Sequence, residues 1–135
     1  MSAIDETFFT RIGCIDGRVQ IPVRMYGQNK FHAQFPDTIT DAGEVGIITH
    51  NPTSDFLDNL KKEINISLNA HNSKGIVIHG HQECAGNPVD DQIQKEDIKK
   101  SVEKIKEIIN NRVPVVGIFV KRSHTDPNIW EVEEL

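Results

Sequence analysis

Two short stretches hold the residues whose types and spacing could do chemistry. "GCIDGRVQ" (13–20) sets Cys14, Asp16 and Arg18 at alternate positions, and "HGHQECAG" (79–86) sets His81 and Cys84 three apart. The chain has no other cysteine. Two thiolates and an imidazole are ligands of the kind zinc takes, and zinc prefers four in a tetrahedron. Three protein ligands leave one position open, as in a catalytic rather than a structural site, and a hydroxide there would be the nucleophile. Two thiolates leave the metal less positive than imidazoles would, so a further group must help keep that hydroxide deprotonated. Asp16 suits the task. Two residues from Cys14 on a strand-like segment, it points the same way and can accept a hydrogen bond from the hydroxide. Arg18 can keep Asp16 ionised and still through a bidentate ion pair.

Taken alone, Cys14 reads as a small buried hydrophobe, and Asp16–Arg18 reads as a surface pair. The joint occurrence of both motifs favours a site. His79 reads as a packed or supporting histidine rather than a fourth ligand. His32, His50, His71 and His124 lie in polar surroundings and read as solvated. Glu83, between two ligands, is expected to point to solvent.

These residues need elements to place them. "TRIGCID" predicts a first strand and Val23 to Phe31 a short helix. "AQFPDTITDAG" predicts a second, irregular strand ending in a glycine turn. Thr53 or Ser54 can cap a helix with Asp55 in its first turn, and Leu57, Leu60, Ile64 and Leu68 form its apolar face. "GIVIHGH" is a continuous apolar strand of the type buried on both faces of a sheet. Ile98, Val102, Ile105 and Ile109 mark another helix, with "KEDIKKSVEKIKE" carrying its polar face. "PVVGIFVKR" is a further buried strand, and "IWEVEEL" an edge strand after the turn "SHTDPN". Alternation of strand and helix implies an α/β fold with a central, mainly parallel sheet flanked by helices. Sites in such sheets form outside the carboxyl ends of the strands. Cys14 lies at the end of the first strand, and His81 and Cys84 at the end of the third.

With 135 residues, 37% hydrophobic and 26% charged, the whole chain (1–135) is expected to be one domain with its own core. A formal net charge of −5 argues against nucleic acid or an anionic membrane as partner. No apolar run approaches bilayer length, and the acidic start "MSAIDETFFTR" lacks the apolar region of a secretion signal. A cytoplasmic location is the default expectation, in which the cysteines are thiols or metal ligands rather than a disulfide.

"CIDGR" followed by "GHQEC" resembles the β-carbonic anhydrases, whose zinc pattern is Cys-x-Asp-x-Arg and then His-x-x-Cys. "TDAGEV" is similar to that family's Asn-Ala-Gly loop, with Ala42 and Gly43 matching. The resemblance implies zinc on Cys14, His81 and Cys84 and an Asp16–Arg18 dyad that orients a zinc-bound hydroxide. It also implies reversible hydration of carbon dioxide to bicarbonate, by homodimers or higher homo-oligomers. The chain departs from the pattern in several places. It is short for the family, whose long N-terminal helices are not expected here, and Thr40 and Asp41 replace the usual Arg and Asn. The residues that narrow the substrate pocket have only Tyr26, Phe31 and Phe35 as candidates. Such a relative could instead hydrolyse carbonyl sulfide or carbon disulfide, keep zinc without catalysis, or sense zinc or redox state through Cys14 and Cys84.

Overall fold

The computed structural model describes residues 5–135. Five strands form one sheet in the order β2-β1-β3-β4-β5. They are β1 (Phe8–Gly13), β2 (Phe35–Thr40), β3 (Ile76–His81), β4 (Val115–Arg122) and β5 (Trp130–Glu134). The first four are parallel, and β5 runs antiparallel on the β4 edge. The helices are α1 (Gln20–Phe31), α2 (Glu44–Thr49), α3 (Ser54–Ala70) and α4 (Asp91–Ile109). The expected α/β architecture with an edge strand at the C-terminus is therefore the observed one.

Strand alternation sorts the core into two layers. Ile12, Ile76, Ile78 and Phe119 point to one face, where they meet Val45 and Ile48 of α2, Leu60, Ile64 and Leu68 of α3, and Ile98, Ile105 and Ile109 of α4. Phe9, Val77, Ile118 and Val120 point to the other, against Val19 and Val23 at the start of α1. All six residues of β3 are buried, as its unbroken apolar run requires of a central parallel strand. The longer helices are capped as their sequences suggest. Thr53 accepts the Phe56 N–H at 3.1 Å at the start of α3, and Asp90 accepts the Ile93 N–H at 2.9 Å at the start of α4. Pro22 falls in the first turn of α1, where its missing N–H is not needed, so the helix begins three residues before the expected Val23.

Two expectations need correction. The first strand stops at Gly13 rather than continuing through Asp16. The Asp41 N–H takes the Gly13 carbonyl at 3.2 Å, and the chain then turns, with the Val19 N–H on the Asp16 carbonyl at 3.3 Å. The Asp16 carboxylate accepts the Arg18 N–H at 2.9 Å, the aspartate-headed turn that competes with a ladder. Asp16 is thus aimed by a turn, not by strand alternation. In addition, Glu44–Thr49 is a helix of six residues, too short to show a period in sequence. Among the described residues, no helix is long and apolar enough to cross a membrane.

Candidate metal centre

β1 and β3 are neighbours, with Gly13 opposite His79, and they lead to opposite sides of the sheet. This is the switch point where α/β sheets open a crevice beyond the strand ends. Cys14 follows β1 immediately, His81 closes β3, and Cys84 sits in the turn after it. Their ligand atoms all lie within 4.8 Å of one another, and all three residues are buried. The Cys14 and Cys84 sulfurs are 3.7 Å apart. A tetrahedral centre with zinc–sulfur bonds of about 2.3 Å would set them about 3.8 Å apart.

The histidine is prepared in a matching way. His81 Nδ1 lies 2.7 Å from the Gln82 carbonyl, which fixes the proton on Nδ1 and leaves Nε2 as a lone pair. That Nε2 is buried and has no hydrogen-bond partner among the described residues. An orphaned buried nitrogen beside two sulfurs is what a metal would satisfy, so the donor set fits zinc.

The sulfurs are electrostatically unequal. The contact with Cys84 pulls the Cys14 thiol down despite burial, helped by His81 and the Gly43 amide. The same contact, with burial, drives Cys84 up. Cys14 is thus the sulfur favoured as thiolate, and a metal held by both would displace the thiol proton that remains. The Gly43 N–H donates to Cys14 Sγ at 3.4 Å. Gly43 takes φ of 63°, and a Cβ there would lie 2.4 Å from the Gly86 carbonyl carbon. The loop after β2 and the loop after β3 thus touch backbone to backbone beneath the site, which only glycine permits.

Asp16 Oδ2 stands 3.9 Å from His81 Nε2. Arg18 grips this carboxylate with two edges of contact, Nη2 to Oδ2 at 2.8 Å and Nε to Oδ1 at 3.1 Å. The guanidinium holds the Asp16 carboxyl down to about 2, so it is ionised at any neutral pH. The structure therefore brings Cys14, His81, Cys84, Asp16 and Arg18 together.

Other expectations change. Glu83 does not simply face solvent. Its Oε1 accepts from Arg18 Nη1 at 3.2 Å and Arg122 Nη2 at 3.0 Å, and its Oε2 accepts from Arg122 Nε at 2.7 Å. His79 is fully buried and pairs through Nε2 with Arg11 Nη2 at 3.2 Å, so it is packed and polar rather than a ligand. Of the histidines read as solvated, His50 reaches the buried Asp97 at 3.0 Å, and His71 contacts Asp37 at 2.7 Å and stacks on Phe8. Arg122 and Trp130 carry no sequence signal for the site. They become neighbours only because β4 and β5 pair with Arg122 opposite Trp130.

A family model described as "Putative carbonic anhydrase" matches residues 4–134, and the chain belongs to that family. Its fold is that of β-carbonic anhydrases. The carbonic anhydrase of Streptococcus mutans superposes with a TM-score of 0.61 at 16% identity, over 99% of this chain and 87% of that one. The β-carbonic anhydrase isoform I of Trichomonas vaginalis gives 0.58 at 16% identity, over 99% and 86%. One of two tetrameric β-carbonic anhydrases of Sordaria macrospora gives 0.61 at 16% identity, over 97% and 82%. Comparison with curated proteins gives no significant match.

Proposed function

We propose that the protein is a zinc lyase catalysing the reversible hydration of carbon dioxide to bicarbonate, with Cys14, His81 and Cys84 as ligands. One observation carries the reading. A buried imidazole nitrogen, without a hydrogen-bond partner among the described residues, stands beside two cysteine sulfurs and a carboxylate that a guanidinium holds in place. Zinc held there would supply a Lewis acid that makes water a nucleophile at neutral pH.

The chain's own residues do the rest. Cys14 is the sulfur favoured as thiolate, and binding of a cation by both cysteines releases the thiol protons that remain. His81 presents Nε2 because the Gln82 carbonyl holds its other nitrogen. Asp16 offers an ionised acceptor beside the open position, aimed by its own turn and by Arg18. A site meant only to stabilise the fold would need three ligands and a fourth, not an aimed carboxylate. The whole chain acts as one domain, associates at least as a homodimer, and works in the cytoplasm.

The test is metal analysis together with stopped-flow carbon dioxide hydration on purified protein. One zinc per chain with turnover is the expected result. Stoichiometric zinc with no hydration above the buffer rate would replace the enzyme by a non-catalytic zinc protein.

A further inference from the structure

Arg18 is a long side chain, 39% exposed, and an exposed ion pair alone holds such a group poorly. Its surroundings go well beyond Asp16. Asp16 occupies the Nε and Nη2 edge of the guanidinium. Glu83 occupies the rest, taking Nη1 on its carboxylate at 3.2 Å and Nη2 on its backbone carbonyl at 3.2 Å. The guanidinium also lies over the Trp130 indole, with its central carbon 4.7 Å from the ring.

Arg122 supports the same group from behind. Its own guanidinium carbon is 4.6 Å from the Trp130 ring, and it is tied to the Pro127 carbonyl at 2.7 Å and to both oxygens of Glu83. Two cations sharing one indole would repel, and Glu83 between them offsets that repulsion. Glu83 adopts φ of 59°, a left-handed conformation that costs a non-glycine residue and persists where the side chain is used.

We propose that Glu83, Arg122 and Trp130 are positioning residues for Arg18. They hold its guanidinium by the edge and face that Asp16 leaves free, so the β4–β5 hairpin sets where Asp16 is held. Asp16 and Glu83 do not compete, because they bind different N–H groups. This inference rests on the reading above that Arg18 keeps Asp16 aimed at the open position, but the clamp itself can be read without turnover.

The decisive measurement is hydrogen exchange of the Arg18 Nε–H, followed by nitrogen-15 NMR and assigned by its loss in Arg18→Lys. It is made on the zinc-loaded protein with Glu83→Gln, Trp130→Leu and Trp130→Phe. Glu83→Gln changes an exposed side chain and keeps an acceptor, so it folds. Exchange is expected to quicken about tenfold or more in Glu83→Gln and Trp130→Leu, with Trp130→Phe near wild type because the ring face remains. In carbon dioxide hydration, kcat should fall several-fold in the first two while KM and zinc content hold. Unchanged exchange in both Glu83→Gln and Trp130→Leu would overturn the clamp. Faster exchange in Glu83→Gln and Trp130→Leu, in a protein whose wild type lacks hydration activity, would uphold the clamp and sink only the proposed reaction.

Discussion

Asp16 and its neighbours set the chemistry at the scale of single residues. The carboxylate is ionised because Arg18 holds it near 2, below the ordinary value of 3.8. The pair therefore favours the folded state above the unfolded value and loses that contribution as pH falls toward 2. At neutral pH the pair is intact, and in the proposed reaction its use is directional rather than energetic. Arg18→Ala should leave one zinc per chain in place, because no ligand is touched, yet lower kcat about a hundredfold or more. Full activity in that variant would reduce Asp16–Arg18 to an incidental ion pair. Cys84→Ser should do the reverse and strike the metal. Outer partners of zinc ligands are worth roughly 10–100-fold in affinity, so loss of a ligand should exceed that. Competition with a zinc chelator measures it, and wild-type retention would strip Cys84 of its assignment.

Among the elements, the short helix α2 matters beyond its size. Its first residue, Glu44, is 1% exposed, and neither carboxyl oxygen has a hydrogen-bond partner among the described residues. Burial, with the Asp41 and Glu63 carboxylates nearby, pushes Glu44 up from 4.5 to about 9. The folded protein keeps this group neutral while the unfolded chain ionises it. Stability from this group is complete below about 4.5 and drains away as pH rises toward 9. Glu44→Gln keeps the shape and removes the titration. Thermal or urea unfolding at pH 7.5 should show the variant more stable by a few kcal/mol, with the gain vanishing near pH 4.5. A variant less stable than wild type at both pH values would mean that the carboxyl makes a bond the geometry does not show.

For the whole molecule, three exposed apolar residues lie on the segment that leaves β1 beside the site. Ile21 is 61% exposed and Met25 55%. Four apart on α1, they share a face. Ile15, beside Asp16, is 59% exposed. Such residues together, next to a site, are the usual mark of a surface that is covered in an assembly. Light scattering at micromolar concentration should report at least twice the 15.2 kDa chain mass, and Ile21→Glu with Met25→Glu should shift it toward the monomer. A wild type that stays monomeric would remove the homodimer proposal.

The sequence by itself determined the parallel core, the helix faces and which three residues, Cys14, His81 and Cys84, could hold a metal. Periodicity reports burial directly, and Cys14, His81 and Cys84 sit at fixed offsets from apolar runs that must be strands. The glycine turn in "TDAGEV" was legible from its sequence, but its αL backbone against Gly86 came only from the structure. What the tertiary structure alone decided depends on register and on turns. The end of β1 at Gly13 followed from hydrogen bonds to a loop 28 residues away, so the aim of Asp16 came from a turn that alternation could not foretell. The role of Glu83 was hidden because its partner Arg122 lies 39 residues on. Trp130 meets Arg18 only once β5 pairs antiparallel with β4. Contacts between side chains from four separate segments have no local period, and only the closed sheet brings them within reach.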